Sequence, residues 1–218
     1  AVLNEAGRQL GIWQRAYRPA EPVFIAVNIS SAQLIAADLV DEVKLVLHRE
    51  GLLPGSLKIE VTESLVMQYP ERAGQILERF REIGVGIACD DFGTGYSSLS
   101  SLRKLPFDTL KVDRSFIAAE VQDPRAAIIL EAIIAMGHAL GLTIVAEGIE
   151  NQAQVDMLGL LACDLGQGYF IGKPMTAKQV NEALGGLPYA PSSGRTAITW
   201  LWERAVRELP PEPSQRNL

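Results

Sequence analysis

Ten residues spaced along this chain could together hold divalent cations and orient a polarised water. They are Asn28, Glu60 and Glu63, Asp90 and Asp91, Lys111 and Asp113, Glu147 and Glu150, and Gln167. Each group closes a separate β-branched or apolar run. Carboxylates brought together in this way repel one another unless cations neutralise them, and the repulsion grows as water is excluded. All-oxygen ligands suit hard ions such as Mg2+ or Mn2+, whereas zinc ordinarily recruits His or Cys. Two such ions about 3.5 to 4 Å apart can position a nucleophile and steady the leaving oxygen of an in-line displacement at phosphorus. Phosphodiester hydrolysis is therefore the leading chemistry.

Taken singly, each feature has a plainer reading, because an acid at a strand end is more often a helix cap or a surface charge. Lys111 alone would serve as an ion-pair partner or as the Schiff-base lysine of an aldolase-like barrel. Surrounding carboxylates would hold it protonated, which argues against Schiff-base use. His48 and His138 fall within helical patterns and read as surface or packing residues. Cys89 and Cys163 lie far apart inside apolar runs, with neither a disulfide framework nor a zinc spacing.

The elements that must position these groups follow from periodicity. Residues 23–30, 57–64, 86–93, 109–116, 143–150 and 162–170 read as buried parallel strands. Helical patterns lie at 1–17, 31–50, 70–83, 123–140, 151–160 and 176–184, several of them closed by a glycine. Regular β/α alternation fits either a (β/α) barrel or a doubly wound sheet. The one glycine cluster, 91–96, lacks both the dinucleotide fingerprint and a phosphate-loop lysine, so the α/β reading is a TIM-like barrel. Six of eight strands are visible. Because the chain opens inside a helix, the other two are expected upstream of residue 1.

At 218 residues and 48% hydrophobic content, one large domain plus a tail is expected, with the barrel at 1–186. Residues 187–218 read as a linker, a short helix at 195–209 bearing Trp200 and Trp202, and a disordered Pro-rich end. Those tryptophans would pack back on the barrel or cover a partner. A net charge of −6 argues against a nucleic-acid polymer as partner. Neither a membrane span nor a signal peptide is legible, and a cytoplasmic setting is expected.

The motifs resemble those of the EAL family. They are Val27-Asn28-Ile29-Ser30, Glu60-Val61-Thr62-Glu63, Asp90-Asp91-Phe92-Gly93-Thr94-Gly95-Tyr96-Ser97-Ser98-Leu99, Leu110-Lys111-Val112-Asp113-Arg114-Ser115-Phe116, Ala146-Glu147-Gly148-Ile149-Glu150 and Gly166-Gln167-Gly168-Tyr169. The resemblance runs from the first helix to about residue 184. It implies a barrel that hydrolyses cyclic di-GMP to the linear dinucleotide with two Mg2+ or Mn2+ ions. It further implies metal ligation by Asn28, Glu60, Asp90, Asp91 and Glu147, with Asp90 bridging. Glu147 resembles a metal-site carboxylate or general base, Lys111 the cation that orients the attacking water, and Glu63 the anchor of loop 91–98. Gln167, Glu150 and Asp113 resemble residues around the substrate. The resemblance also implies a homodimer through the region of loop 91–98, and sensory or diguanylate-cyclase domains fused upstream.

The departure is that no Glu-Ala-Leu precedes Asn28, although that motif's glutamate is a metal ligand in the family. The triplet Glu182-Ala183-Leu184 lies in a late helix and is a coincidence of letters. A chain that starts at Ala1 is thus expected to bind metal weakly and turn over slowly or not at all. Two alternatives stand beside the enzyme: a cyclic-di-GMP receptor or partner-binding module without catalysis, and an unrelated aldolase- or enolase-like barrel.

Overall fold

The computed structural model describes residues 2–17, 23–36, 38–93, 99–119 and 124–185. The chain opens with α1 (Val2–Tyr17) and continues through β1 (Ile25–Asn28), α2 (Ser31–Leu34), α3 (Leu39–Glu50) and β2 (Leu57–Thr62). Next come α4 (Glu63–Gln68), α5 (Pro70–Glu82), β3 (Gly86–Phe92), α6 (Leu99–Lys104), β4 (Thr109–Val112), α7 (Arg114–Ala119) and α8 (Pro124–Ala139). The described part ends with β5 (Thr143–Glu147), α9 (Gln152–Leu160), β6 (Leu165–Gln167) and α10 (Ala177–Gly185).

All six strands pair in parallel, in the order β1-β2-β3-β4-β5-β6. A doubly wound sheet must reverse its strand order at a switch point, and this one never does. The sheet is a half-barrel, as the alternation implied.

Pairing register and the two-residue period of a strand sort the side chains into two faces. Ile59, Val61, Ile87, Leu110, Ile144 and Ala146 lie on the helix side and are buried. They meet Leu10, Leu34, Leu77, Phe80, Leu130 and Ile134 from the helices in one apolar cluster. The other face is polar. Asn28 stands opposite Glu60, Thr62 opposite Asp90, and Glu147 opposite Gln167. Lower on that face Lys58 donates to Asp108 Oδ1 at 2.6 Å and to Thr109 Oγ1 at 2.7 Å.

Three expectations need correction. The helix anticipated over 31–50 is two helices, because Leu34 and the buried Leu39, Val43 and Val46 are out of phase by about 140° in a single helix. Strands end earlier than their apolar runs, since Thr62 Oγ1 accepts from Leu65 N–H at 3.4 Å and starts α4. The short α4, α6 and α7 were invisible because six residues hold less than two turns of periodicity. The expected 186 boundary and the Trp200/Trp202 helix lie outside the described residues. No helix among those described is long and apolar enough to cross a membrane.

Both thiols belong to the packing. Burial first, then the charges of Glu63, Asp90 and Asp91, push Cys89 up to about 12, and burial pushes Cys163 up to about 11. A thiol reacts as its thiolate. Neither cysteine is expected to take up iodoacetamide at neutral pH in the folded chain, and both should do so in denaturant. Labelling followed by mass spectrometry of the intact chain reads this directly.

Candidate metal and phosphodiester site

Parallel register delivers the polar strand ends to one mouth, and a lysine stands at its centre. Lys111 Nζ lies 2.9 Å from Glu60 Oε1, 2.9 Å from Asp90 Oδ1 and 2.8 Å from Glu147 Oε1. Four strands therefore meet at one ammonium group. Asn28 of β1 joins them by donating its Nδ2–H to Glu60 Oε2 at 2.9 Å.

A regular strand would send Asp91 to the opposite face from Asp90. Instead the β3–β4 register shifts between Cys89 and Phe92, and Asp91 takes a φ of 54°. Its carboxylate consequently reaches the mouth. Oxygens of Asp90, Asp91 and Glu147 all come within 4.8 Å of one another.

With Glu60, these carboxylates outnumber the single ammonium by three formal charges. Burial on its own would lower the Lys111 ammonium, but its hydrogen bonds to Glu147, Glu60 and Asp90 outweigh that and hold it above its ordinary value. Burial raises Glu147, with Lys111 opposing and Asp90 and Glu60 adding to the rise. Burial likewise raises Asp91, reinforced by Asp90 and Asp113. An all-oxygen donor set with excess negative charge fits hard divalent ions.

The linkage has a definite sign. Glu147 and Asp91 keep protons to higher pH than in the unfolded chain, so their ionisation weakens the metal-free fold as pH rises through and above the ordinary carboxylate range. A bound cation reverses this by displacing those protons. Mn2+ affinity is expected to increase at least about tenfold between about pH 5 and about pH 7, as titration calorimetry would show.

The remaining candidates lie around this centre. Glu63, 1% exposed, is in the first turn of α4 and not at a strand end. Its Oε2 accepts from Gly93 N–H at 2.8 Å, and its buried Oε1 has no hydrogen-bond partner among the described residues. Asp113 lies just past β4, where its Oδ1 accepts from Ser115 N–H at 2.9 Å. Burial alone would raise Asp113, but the hydrogen bonds from Ser115 and Arg114 outweigh it and keep the group below its ordinary value. Glu150 is exposed in the loop after β5, and exposed Gln167 ends β6 beside Glu147.

Sequence reasoning missed Gln154, a buried amide that ties the loop after β5 to neighbouring elements. Its signal was present as the Asn151-x-x-Gln154 spacing of a capping box, which the structure forms. Gly148 and Gly168 were quoted as motif letters without their physical role. A Cβ on Gly148 would fall 2.3 Å from Arg114 Cβ, and one on Gly168 would fall 2.2 Å from Ile149 O.

The EAL domain family matches residues 1–174. Among curated relatives, the bifunctional diguanylate cyclase/cyclic di-GMP phosphodiesterase MucR of Pseudomonas aeruginosa is 46% identical over 179 residues, which is 82% of this chain and 26% of that protein. The cyclic di-GMP phosphodiesterase NbdA of the same organism is 45% identical over 164 residues, 75% of this chain and 21% of that one. The chain thus spans about a quarter of the length of these relatives. Among solved structures, the MucR phosphodiesterase in complex with c-di-GMP aligns with a TM-score of 0.77 at 46% identity, covering 82% of this chain and 72% of that one. The EAL domain of Mycobacterium smegmatis DcpA aligns with a TM-score of 0.79 at 37% identity, covering 86% and 84%.

Proposed function

The chain belongs to the EAL-domain family, and from that premise we propose that it carries the catalytic face of a cyclic-di-GMP phosphodiesterase. One observation carries the reading: Glu60, Asp90 and Glu147 reach a single Lys111 ammonium from separate strands, with Asp91 turned toward the same mouth. The likeness to the c-di-GMP complex of the MucR phosphodiesterase supplies the substrate.

Asn28, Glu60, Asp90, Asp91 and Glu147 would hold two Mg2+ or Mn2+ ions. Such ions, when bound, offset the charge of the phosphodiester and raise the acidity of water. Lys111 keeps its proton and gives its three N–H donors to Glu60, Asp90 and Glu147; one of them would turn to the attacking water where a cation takes over its carboxylate partner. Glu147, with a proton affinity raised by burial, is suited to accept the water proton as one phosphodiester bond opens to the linear dinucleotide. Glu63 steadies the start of loop 91–98 through Gly93, while Gln167, Glu150 and Asp113 face the nucleotide. Homodimerisation through the region of that loop, attachment to sensory or diguanylate-cyclase domains and a cytoplasmic setting belong to the same reading.

A receptor that binds the nucleotide without cleaving it is the second reading, since Lys111 is already paired with three of the acids that a catalytic metal pair would need. Incubating cyclic di-GMP with Mg2+ or Mn2+ and this chain, beside a version extended upstream through such a motif, separates the two. The phosphodiesterase reading expects linear dinucleotide from the extended chain at least, and its loss in Asp90→Asn. Nucleotide binding with no cleavage by either chain would establish the receptor.

A further inference from the structure

Gln154 is among the few polar side chains buried in this fold, at 4% exposure, and it makes more contacts than a helix cap requires. Its Oε1 accepts from Glu150 N–H at 2.7 Å and from Asn151 N–H at 3.3 Å. Its Nε2–H donates to Ile117 O at 3.4 Å, in α7. The cap proper is made by the neighbour, as Asn151 Oδ1 accepts from Gln154 N–H at 3.0 Å. One side chain therefore joins the start of α9, the loop that follows Glu147, and the helix that follows Lys111 and Asp113.

The hold extends further along the backbone. Ile149, next to Glu150, donates its N–H to Gln167 O at 3.1 Å and accepts from Phe170 N–H at 3.1 Å. Gly168 sits so close to Ile149 that no Cβ fits between them. Any shift of the Glu150 backbone is passed through Ile149 to the segment bearing Gln167. On the other side, Gly148 lies against Arg114 with equally little room. Glu147 pairs with Gln167 along the strand, but its carboxylate is tied to Lys111 and the residue before it, Ala146, pairs with Val112 of β4, so the acid has a second hold of its own.

We propose that Gln154 is a positioning residue for Glu150 and Gln167, setting the spacing of this loop residue and this strand-end residue and with it the grip on the nucleotide, while the lysine-centred acids stay as they are. This rests on the proposed function for the identity of the ligand, and on geometry alone for the positioning.

The test uses the full chain with Gln154→Met, which keeps length and apolar volume and removes every side-chain hydrogen bond. Amide exchange at Glu150 and Asn151 should accelerate, and so should exchange at Ile149 and Phe170, whose bonds Gln154 does not make, each by at least about tenfold. For cyclic di-GMP, Kd or KM should increase about tenfold with kcat within about twofold of the parent, the pattern of lost ground-state binding. Gln154→Glu should restore most of the affinity, because glutamate at the third helical position also accepts from the same backbone amides. Asn151→Ala removes the neighbouring half of the cap yet leaves Gln154 in place, so it should destabilise α9 while sparing Ile149, Phe170 and the nucleotide affinity.

Unchanged exchange at Ile149 and Phe170 in Gln154→Met would overturn the proposal, as would a fall in kcat at constant KM. Should Gln154→Met fail to fold, loss of affinity in the folded Gln154→Glu as large as that in a nucleotide-contact variant such as Gln167→Ala would overturn it equally. Failure of both the parent chain and its upstream-extended version to bind or cleave the nucleotide would defeat the functional reading, and the exchange data would still decide the positioning.

Discussion

Lys111→Met is expected to cost the metal-free chain about 3 to 5 kcal/mol of stability and to lower its melting temperature by about 10 °C. The lysine side chain is 7% exposed, and Glu60 and Asp90 beside it are 9% and 12% exposed. Removing the ammonium leaves buried acids facing one another without their shared donor, so they must repel, protonate or move apart. Each course costs free energy that the unfolded chain, with its acids in water, does not pay.

Two controls fix the cause. Adding Mn2+ should recover much of the lost stability, because a cation can occupy the place of the missing charge. For the parent chain, Lys111 has a folded value above its unfolded one, so its stabilisation is complete below the ordinary lysine value and is lost only as pH rises through the higher folded value. Near neutrality its contribution should not vary with pH. In the version extended upstream through Glu-Ala-Leu, the proposed hydrolysis should fall to background with Lys111→Met even where Mn2+ has restored folding, since the ion cannot supply an N–H donor to the water. A melting curve identical to the parent's without metal would show that the lysine does not hold the acids together.

Gly168→Ala should be nearly as damaging despite adding one methyl group. The new Cβ would lie 2.2 Å from Ile149 O, 2.3 Å from Ile149 N and 2.7 Å from Ile149 C, and backbone atoms have no rotamer to escape into. Relief requires the loop after β5 and the end of β6 to separate, breaking the Ile149–Gln167 and Phe170–Ile149 hydrogen bonds. Two lost bonds at about 1 kcal/mol each, with the strain of an overpacked contact, place the cost at about 3 kcal/mol. Urea unfolding should register it as a lower midpoint, and cyclic-di-GMP affinity should drop at least about tenfold because Gln167 is displaced with its neighbour. Gly172→Ala is the matched control: nothing lies within 4 Å of its Cβ position, and it should be silent in both assays. Equal behaviour of the two variants would mean that β6 yields freely and that the Gly168 contact constrains nothing.

Much of this fold is legible in the amino-acid sequence. Six apolar, β-branched runs separated by helical patterns could only be parallel strands with crossovers, because two-residue hairpins cannot join them. The polar residues closing those runs had to share a mouth, since parallel strands present all their C-terminal ends on one side. Asn28, Glu60, Asp90, Lys111, Glu147 and Gln167 stood out for that reason, and each lies within or at the end of a strand. Glu63, Asp113 and Glu150 were read as strand ends and lie in helix or loop, because capping at Thr62 and turns after Val112 and Glu147 end the strands before the apolar pattern runs out.

What the amino-acid order determined by itself was the number of described strands, their direction and the face on which the polar groups other than Asp91 fall, all consequences of local periodicity. Only the tertiary structure decided that three acids share one lysine, that Asp91 turns to join Asp90, and that Gln154 holds the loop between Glu147 and α9. Those outcomes depend on register between strands, on a left-handed φ at Asp91, and on hydrogen bonds between residues as far apart as Ile117 and Gln154. Periodicity carries the face of a side chain; distance and orientation between separate segments arise only when the chain packs.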